Sequence, residues 1–480
     1  MLDMPEIGIL NIIRRNCRGG FSPMIPDKIL NVFNRSIRMV CNNIACYCSD
    51  PASDFTRKRK LPVETLIHFI IQMQSKSLNS ELCEYFNDIN SLPTTSALCQ
   101  QRDKLDISAF QRIMHLFVNT FDDYKTWKGF HILACDGSDV NIAYDEKDED
   151  TKRQNGNNKP FSQLHINGLY DCINHVFWDT SIDTAARTRE CAALMEMIMK
   201  HNYPVNSIIT ADRGYEKYNL MACCIENNQK FLIRTKDINV YSSILSNLNL
   251  PDEEFDLNVT KLLTRRQTNE TKYNKQKYTC LPYSSDFDYF DSDGFYKMNL
   301  RVVRFKITDD TYECLVTNLT RDEFDLTELK KMYHMRWDIE TAFKVLKYII
   351  GMMSFHSKKR NFIQQEIYSA ILLHCLTNII TDRIQIEQSD RRKHKYKVNI
   401  STAVTNMRLW LRKSIGTAEL MKRIQNLLGI RISTFTATET NGFSLSATMH
   451  KVLMIQRLQC TRRRASSVVP KKKESTFLTH

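Results

Sequence analysis

Apolar residues recur at three- and four-residue steps in LPVETLIHFIIQMQ, SLNSELCEYFNDI and SALCQQRDKLDISAFQRIMHLFVNTF, which predicts helices through residues 1–128. Pro62 stands at one helix start, Asn79 or Ser80 and Thr94 or Thr95 are candidate N-caps, and Pro93 separates two helices. Beyond residue 130 the period shortens to two. HILACDGSDVNIA, FSQLHINGLYDC and NHVFWDTSI read as strands, with a turn at Asn174 between the last two and a polar loop, YDEKDEDTKRQNGNNKP, after the first. A helix ECAALMEMIMKHN, a strand SIITADRGY, a helix YNLMACCIENN and a strand KFLIRTK follow. That order is most economically a mixed sheet with helices on its faces.

Residues 237–325 change character again. INVYSSIL, KYTCLPY, MNLRVVRFKI and YECLVTNL are strand-like, polar turns separate them and no convincing helix intervenes, so the stretch reads as a β insertion. A helix then opens near Leu326, with Thr327 as a candidate cap, and helical pattern continues to about residue 430. The expected fold class is α+β or mixed α/β with helical N- and C-terminal regions. The last twenty residues, TRRRASSVVPKKKESTFLTH, are basic and weakly hydrophobic, the pattern of a disordered tail able to touch DNA.

With 480 residues the chain has room for roughly two to four domains and a substantial core. Its 67 Lys and Arg against 54 Asp and Glu leave a net +13, which favours a polyanionic partner. No basic amphipathic segment adjoins an apolar anchor, so nucleic acid is preferred over a membrane. The N-terminus lacks the basic start and continuous apolar core of a secretory signal. The longest apolar run, IYSAILLHCLTNII at 367–380, is short for a bilayer and is interrupted by His374, Thr377 and Asn378, so it reads as a buried helix. Fifteen scattered cysteines read as reduced thiols of a cytoplasmic protein. Cys41, Cys46 and Cys48 lack a second pair and nearby histidines, which disfavours a zinc site.

Two aspartates stand where apolar strand gives way to polar residues, Asp136 in ILACDGS and Asp212 in IITADRGY. In open α/β sheets ligands gather beyond strand carboxyl ends, and Gly137 and Gly214 let backbone approach closely there. Asp139, Asp171, Asp179 and Asp183 compete for the first position, but Asp139 alternates to the other strand face and the rest follow strand interiors or turns. A third acid lies in YHMRWDIETAFKVLK. There Tyr333, Arg336, Lys344 and Lys347 sit at −7, −4, +4 and +7 from Glu340, spacing that shares one helix face. A plain solvated helix with a Glu340/Lys344 pair is the bland alternative.

Three converging carboxylates would repel one another without cations, and two Mg²⁺ or Mn²⁺ ions about 4 Å apart would both neutralise them and serve phosphodiester chemistry. None of the three acids has His or Cys at useful metal spacing, which argues for hard cations. In the first region Gln100, Gln101, Arg102 and Lys104 make a polar helix compatible with a helix-turn-helix reader of DNA, or with an ordinary small bundle.

DGS around Asp136, ADRGY around Asp212 and the Tyr333/Arg336/Glu340/Lys347 spacing resemble the core motifs of DDE transposases, specifically the insertion-sequence-four family with its Tyr-Arg-Glu-Lys signature. The resemblance runs over residues 60–375. It implies a ribonuclease-H-like catalytic core in two parts, 129–236 and 326–375, interrupted by a β domain at 237–325. An N-terminal DNA-binding region at 1–128, a C-terminal region at 376–460 suited to dimerisation and the tail at 461–480 complete the expected organisation. By resemblance, Asp136, Asp212 and Glu340 hold the metals, and Tyr333, Arg336 and Lys347 grip phosphates. Lys344, Arg213, Arg234 and Lys236 are further basic candidates.

The implied activity is that of a bacterial, nucleoid-associated homodimer that binds terminal inverted repeats, nicks each end with water and transfers 3′-OH ends to target DNA. A non-catalytic DNA-binding relic and a nuclease that cuts without joining remain alternatives. Tyr289, Phe290, Phe295 and Tyr296 are the aromatics of the β stretch able to stack a flipped base, should a hairpin step occur.

Overall fold

The apolar lead-in His131–Cys135 is buried throughout and carries the centre of a large sheet. The computed structural model describes residues 25–430 apart from 58–59, 87, 89, 185–188, 239, 309–310, 385–395 and 427, so the predicted basic tail lies outside the described residues. Helices come first: α1 (Ile25–Asn42), α2 (Val63–Gln72), α3 (Leu78–Tyr85), α4 (Thr95–Lys104) and α5 (Ser108–Val118). Their starts follow local chemistry. Pro62 precedes α2, Thr94 accepts the Ala97 N–H to open α4, and Ser77, two or three residues before the predicted caps, accepts the Ser80 N–H to open α3.

The sheet alternates with its covering helices: β1 (His131–Ile142), β2 (Lys152–Arg153), β3 (Phe161–Asp171), β4 (Val176–Thr184), α6 (Glu190–Lys200), β5 (Ser207–Ala211), α7 (Tyr218–Glu226) and β6 (Lys230–Thr235). Strand β1 pairs antiparallel with β3, β3 with β4, and β1 runs parallel to β5, which runs parallel to β6. A β-rich stretch continues this sheet rather than forming one of its own. It comprises β7 (Phe255–Thr264), the short helix α8 (Asn269–Tyr273), β8 (Tyr278–Cys280), β9 (Phe295–Thr308) and β10 (Thr311–Thr317). Strand β10 pairs with β6, giving the order β2-β3-β1-β5-β6-β10-β9-β7-β8 with β4 on β3. Within the stretch 238–245, expected as strand, residues 241–245 form turns instead, held by the Glu216 carboxylate, which accepts the Lys236 and Ile244 N–H groups.

After the sheet come α9 (Leu326–Met335), α10 (Trp337–Lys344) and a π-helical stretch, Val345–Ile350. Asp325, not Thr327, caps α9, in a reciprocal box with Glu328. Gly351, at φ +114°, ends the π stretch in a conformation that disfavours any side chain. The long α11 (Arg360–Thr381) is the predicted buried helix. Its apolar residues lie on every side, packed by α1, α2, α5, β4 and α12 (Ile400–Leu411), the hallmark of a core helix. Helix α13 (Thr417–Asn426) packs on α12, and the short strands β11 (Tyr396–Val398) and β12 (Leu428–Ile430) pair with each other. No helix among the described residues is long and apolar enough to cross a membrane.

Candidate active site

Strand lengths set the first half of the site. Strand β5 ends at Ala211, whose register partner is Cys135 of β1, so Asp136 and Asp212 are the next residues of adjacent parallel strands. Asp136 is therefore not at a strand end, as the sequence suggested, but in the middle of a strand that continues to Ile142 after its neighbour stops. Its Oδ1 accepts the Gly137 N–H at 2.9 Å. Asp212 caps the single turn Arg213–Tyr215, accepting the Gly214 N–H at 2.7 Å, while Tyr215 buries its ring and sets its hydroxyl against Cys135.

The second half is the pair α9–α10, which meet at Arg336. Helix α10 packs over β1 on the face where Gly168, opposite Asp136, leaves room for Phe177 and Phe343. That packing points Glu340 toward Asp136. Arg336, only 3% exposed, stands between them, with Nη2 3.3 Å from Glu340 Oε1 and Nη1 3.6 Å from Asp136 Oδ2. Burial works against its charge, but Tyr333, Asp136 and Glu340 hold its pKa above the ordinary value.

The model of the transposase DDE domain matches residues 127–376, more than half of the chain and the span that contains all three acids. The chain belongs to this family. No curated protein matches the transposase. Among solved structures it is similar to a piggyBac transposase synaptic complex with hairpin DNA seen by cryo-electron microscopy, at 12% identity and a TM-score of 0.40, over 91% of this chain and 90% of that one.

DDE transposases work with divalent metal ions, and the donor set here fits such a cation chemically. Asp136, Asp212 and Glu340 offer only carboxylate oxygens, the preference of Mg²⁺ and Mn²⁺. The Asp136 carboxyl is pushed up to about 6, first by burial and further by the charges of Asp212 and Glu340, against the pull of the Gly137 N–H and Arg336. An acid raised in this way has an unmet need for positive charge. Among the described residues no three His, Cys, Asp or Glu side chains are close enough to grip an ion as they stand. In this arrangement the guanidinium of Arg336 answers the charge instead.

The other predicted residues divide. Tyr333 is buried beside Arg336, and that burial raises its phenol pKa above the ordinary value against the opposing pull of the Arg336 charge. Lys344 and Lys347 are half-buried, and the π winding begins between them, so the even helical face expected from the sequence is broken there. Arg213 is exposed on the turn after Asp212. Arg234 is engaged by Glu313 at 3.0 Å, and Lys236 donates to the Ser242 carbonyl at 3.3 Å. Gln101 and Arg102 are corrected. Both are buried, and the Arg102 guanidinium donates to Gln365, to the Phe362 carbonyl and to Glu366 at 3.0 Å, so it pins α4 to α11 rather than facing DNA.

The competing aspartates are occupied elsewhere. Asp171 accepts from His131, Trp178 and the Ile173–Asn174 turn, Asp179 pairs with His115, Asp183 accepts from Asn167, and Asp139 pairs with His165. Sequence reasoning missed Glu190 and His165, which lie beside Gly137. No spacing rule marks them, because they meet Gly137 only through the fold.

Proposed function

We propose that this transposase is the enzyme of an insertion sequence of the insertion-sequence-four type, built on a ribonuclease-H-like core and carrying the Tyr-Arg-Glu-Lys signature. The observation that carries the reading is the placement of Asp136 and Asp212 side by side where β5 ends, with Glu340 brought to them across Arg336. The run β4-β3-β1-β5-β6, antiparallel on one side of β1 and parallel on the other, supports such a core.

In this reading Asp136, Asp212 and Glu340 hold two Mg²⁺ or Mn²⁺ ions, which when bound polarise the phosphodiester and activate the attacking oxygen. The chain's own part is positional. The strand register fixes the two aspartates, and α10 sets the approach of Glu340. Tyr333, Arg336, Lys344, Lys347 and Arg213 supply hydrogen bonds and positive charge for backbone phosphates of double-stranded DNA. A homodimer would bring two terminal inverted repeats together, nick each with water and pass the 3′-OH ends to target DNA.

The test is cleavage of DNA bearing the element's end repeats by the purified protein with Mg²⁺ or Mn²⁺. Asp136→Asn, Asp212→Asn and Glu340→Gln each abolish nicking while leaving DNA binding. Nicking that survives Glu340→Gln would remove that residue from the metal set, and cutting without joined products would move the reading to a nuclease.

A further inference from the structure

Both glycines of the aspartate motifs face the same acid. A Cβ on Gly137 would lie 2.6 Å from Glu190 Oε1 and 2.3 Å from His165 Nε2. One on Gly214 would lie 3.7 Å from Glu190 Oε2 and 3.0 Å from Asp212 Oδ1. The Glu190 carboxylate thus occupies space that a side chain at 137 would claim, and it lies in ordinary contact range of the missing methyl of Gly214, beside Asp212. Gly137 leaves room for a carboxylate, and Gly214 borders the same carboxylate.

Topology brings Glu190 there. It is the first residue of α6, which covers the sheet face carrying Gly137 and His165, whereas α10 and Glu340 cover the face of Asp136 and Gly168. Because β5 stops at Ala211, the flank of β1 beyond Cys135 is open, and acids from both faces can reach one space through it. The neighbours of the site feel Glu190 alongside the proposed ligands. Burial comes first in raising both the Tyr215 phenol and the Cys191 thiol, the latter to about 11; the Glu190 charge adds to the first after Cys135 and with Asp136, and to the second with Asp212. The Cys191 thiol also donates to the Gly214 carbonyl, tying the start of α6 to the Asp212 turn.

Without an ion, Glu190 has a cationic neighbour of its own. His165 Nε2 is 3.3 Å from Glu190 Oε1, and its Nδ1 is 2.8 Å from Asp139. His165 is only 5% exposed, and its Nε2 makes no well-formed hydrogen bond. A buried imidazole with one loosely held nitrogen, aimed at a carboxylate a third exposed, resembles the way Arg336 attends Asp136 and Glu340. Each pair of acids has its own counter-charge at hand.

We propose that Glu190 is a fourth carboxylate of the divalent-ion centre, admitted by Gly137 and attended by His165 when no ion is bound. The inference rests on the metal-dependent reading above, and its test does not use cleavage. Mn²⁺ alone is titrated into the full-length protein without DNA, and free Mn²⁺ is followed by electron paramagnetic resonance.

Wild type binds, Asp136→Asn binds far more weakly, and Glu190→Gln loses about tenfold or more in affinity, while His165→Gln loses less than Glu190→Gln. Thermal melting of each variant without metal confirms that it is folded, and Glu190→Asp, which keeps a carboxylate, recovers part of the affinity should Glu190→Gln melt early. Weak binding by Asp136→Asn together with wild-type binding by Glu190→Gln and Glu190→Asp would overturn the inference alone, and would leave Glu190 a structural partner of His165. Undiminished binding by Asp136→Asn would overturn the metal-site reading itself.

Discussion

Arg336 Nη2 lies 3.3 Å from Glu340 Oε1, one helical turn further along the same segment, so the acid reaches the site already accompanied by a cation. The other arm of the guanidinium faces Asp136. Replacing Arg336 by Met removes the charge that holds the two carboxylates together. We expect Arg336→Met to melt earlier than wild type without divalent ions and to gain more stability from added Mg²⁺, because the ion would then take over the charge that Arg336 supplies between Asp136 and Glu340. Melting curves with and without Mg²⁺ check this, and an equal Mg²⁺ gain in both proteins would contradict it.

Asp136 carries a stability signature of its own. Its folded value of about 6 lies above its ordinary 3.8, so the folded protein binds the proton more tightly than the unfolded chain does. The resulting cost is absent below pH 3.8, grows as pH rises to about 6, and is complete above that. Asp136→Asn removes it, and at pH 7.5 the variant should be more stable than wild type by about 1–3 kcal/mol while being inactive. Urea titrations of both proteins at pH 4.5 and 7.5 measure the difference, which should shrink at the lower pH.

Arg102 tests the reassignment of α4. Truncating it to Met leaves the buried Glu366 with one fewer partner, a loss of about 3–5 kcal/mol for a broken interior ion pair. The expected outcome is a large fall in the denaturation midpoint, with DNA affinity unchanged under conditions where the variant remains folded. A selective loss of DNA binding with unchanged stability would return Arg102 to the interface.

Gly137 should tolerate no side chain. In Gly137→Ala the new methyl meets His165 Nε2, which must move, at a cost of about 1–3 kcal/mol. The double variant Gly137→Ala, His165→Ala relieves the closer of two clashes, leaving the one with Glu190 Oε1, and should recover part of that loss. A double-mutant cycle from thermal denaturation reads the coupling directly.

A second titration belongs to His356. Its imidazole lies 3.1 Å from Glu366 and 3.9 Å from Glu81, and although burial opposes the charge, the two carboxylates raise it to about 9. The stability gained by charging it is present in full below its ordinary 6.5 and is lost as pH climbs through about 9. His356→Gln should therefore be destabilised at pH 6 by about 1–3 kcal/mol and differ little from wild type at pH 9.5, which chemical denaturation at the two values can decide.

Much of the architecture was legible because it is periodic. The alternation in FSQLHINGLYDC and NHVFWDTSI and the apolar run of α11 became the elements they suggested. The three acids could be picked out from their local context, yet their relation could not. Only the β1–β5 register sets Asp136 beside Asp212, and only α10 packing on β1 brings Glu340 near. Arg102 was misjudged because a polar helix of basic residues reads as exposed until a distant glutamate, Glu366, is seen to meet it. Lys344 and Lys347 were placed on an ideal helix, and the π winding that separates them leaves no mark in residue spacing. That the β-rich stretch joins the same sheet was not legible, because composition cannot reveal that Leu315 of β10 pairs with Arg234 of β6.

That β6–β10 ladder has a mechanical meaning. Four successive residue pairs, Thr317–Leu232 to Cys314–Thr235, weld the outer strands to the plate that bears the aspartates. A force applied to the outer strands tilts the whole plate instead of bending a joint within it.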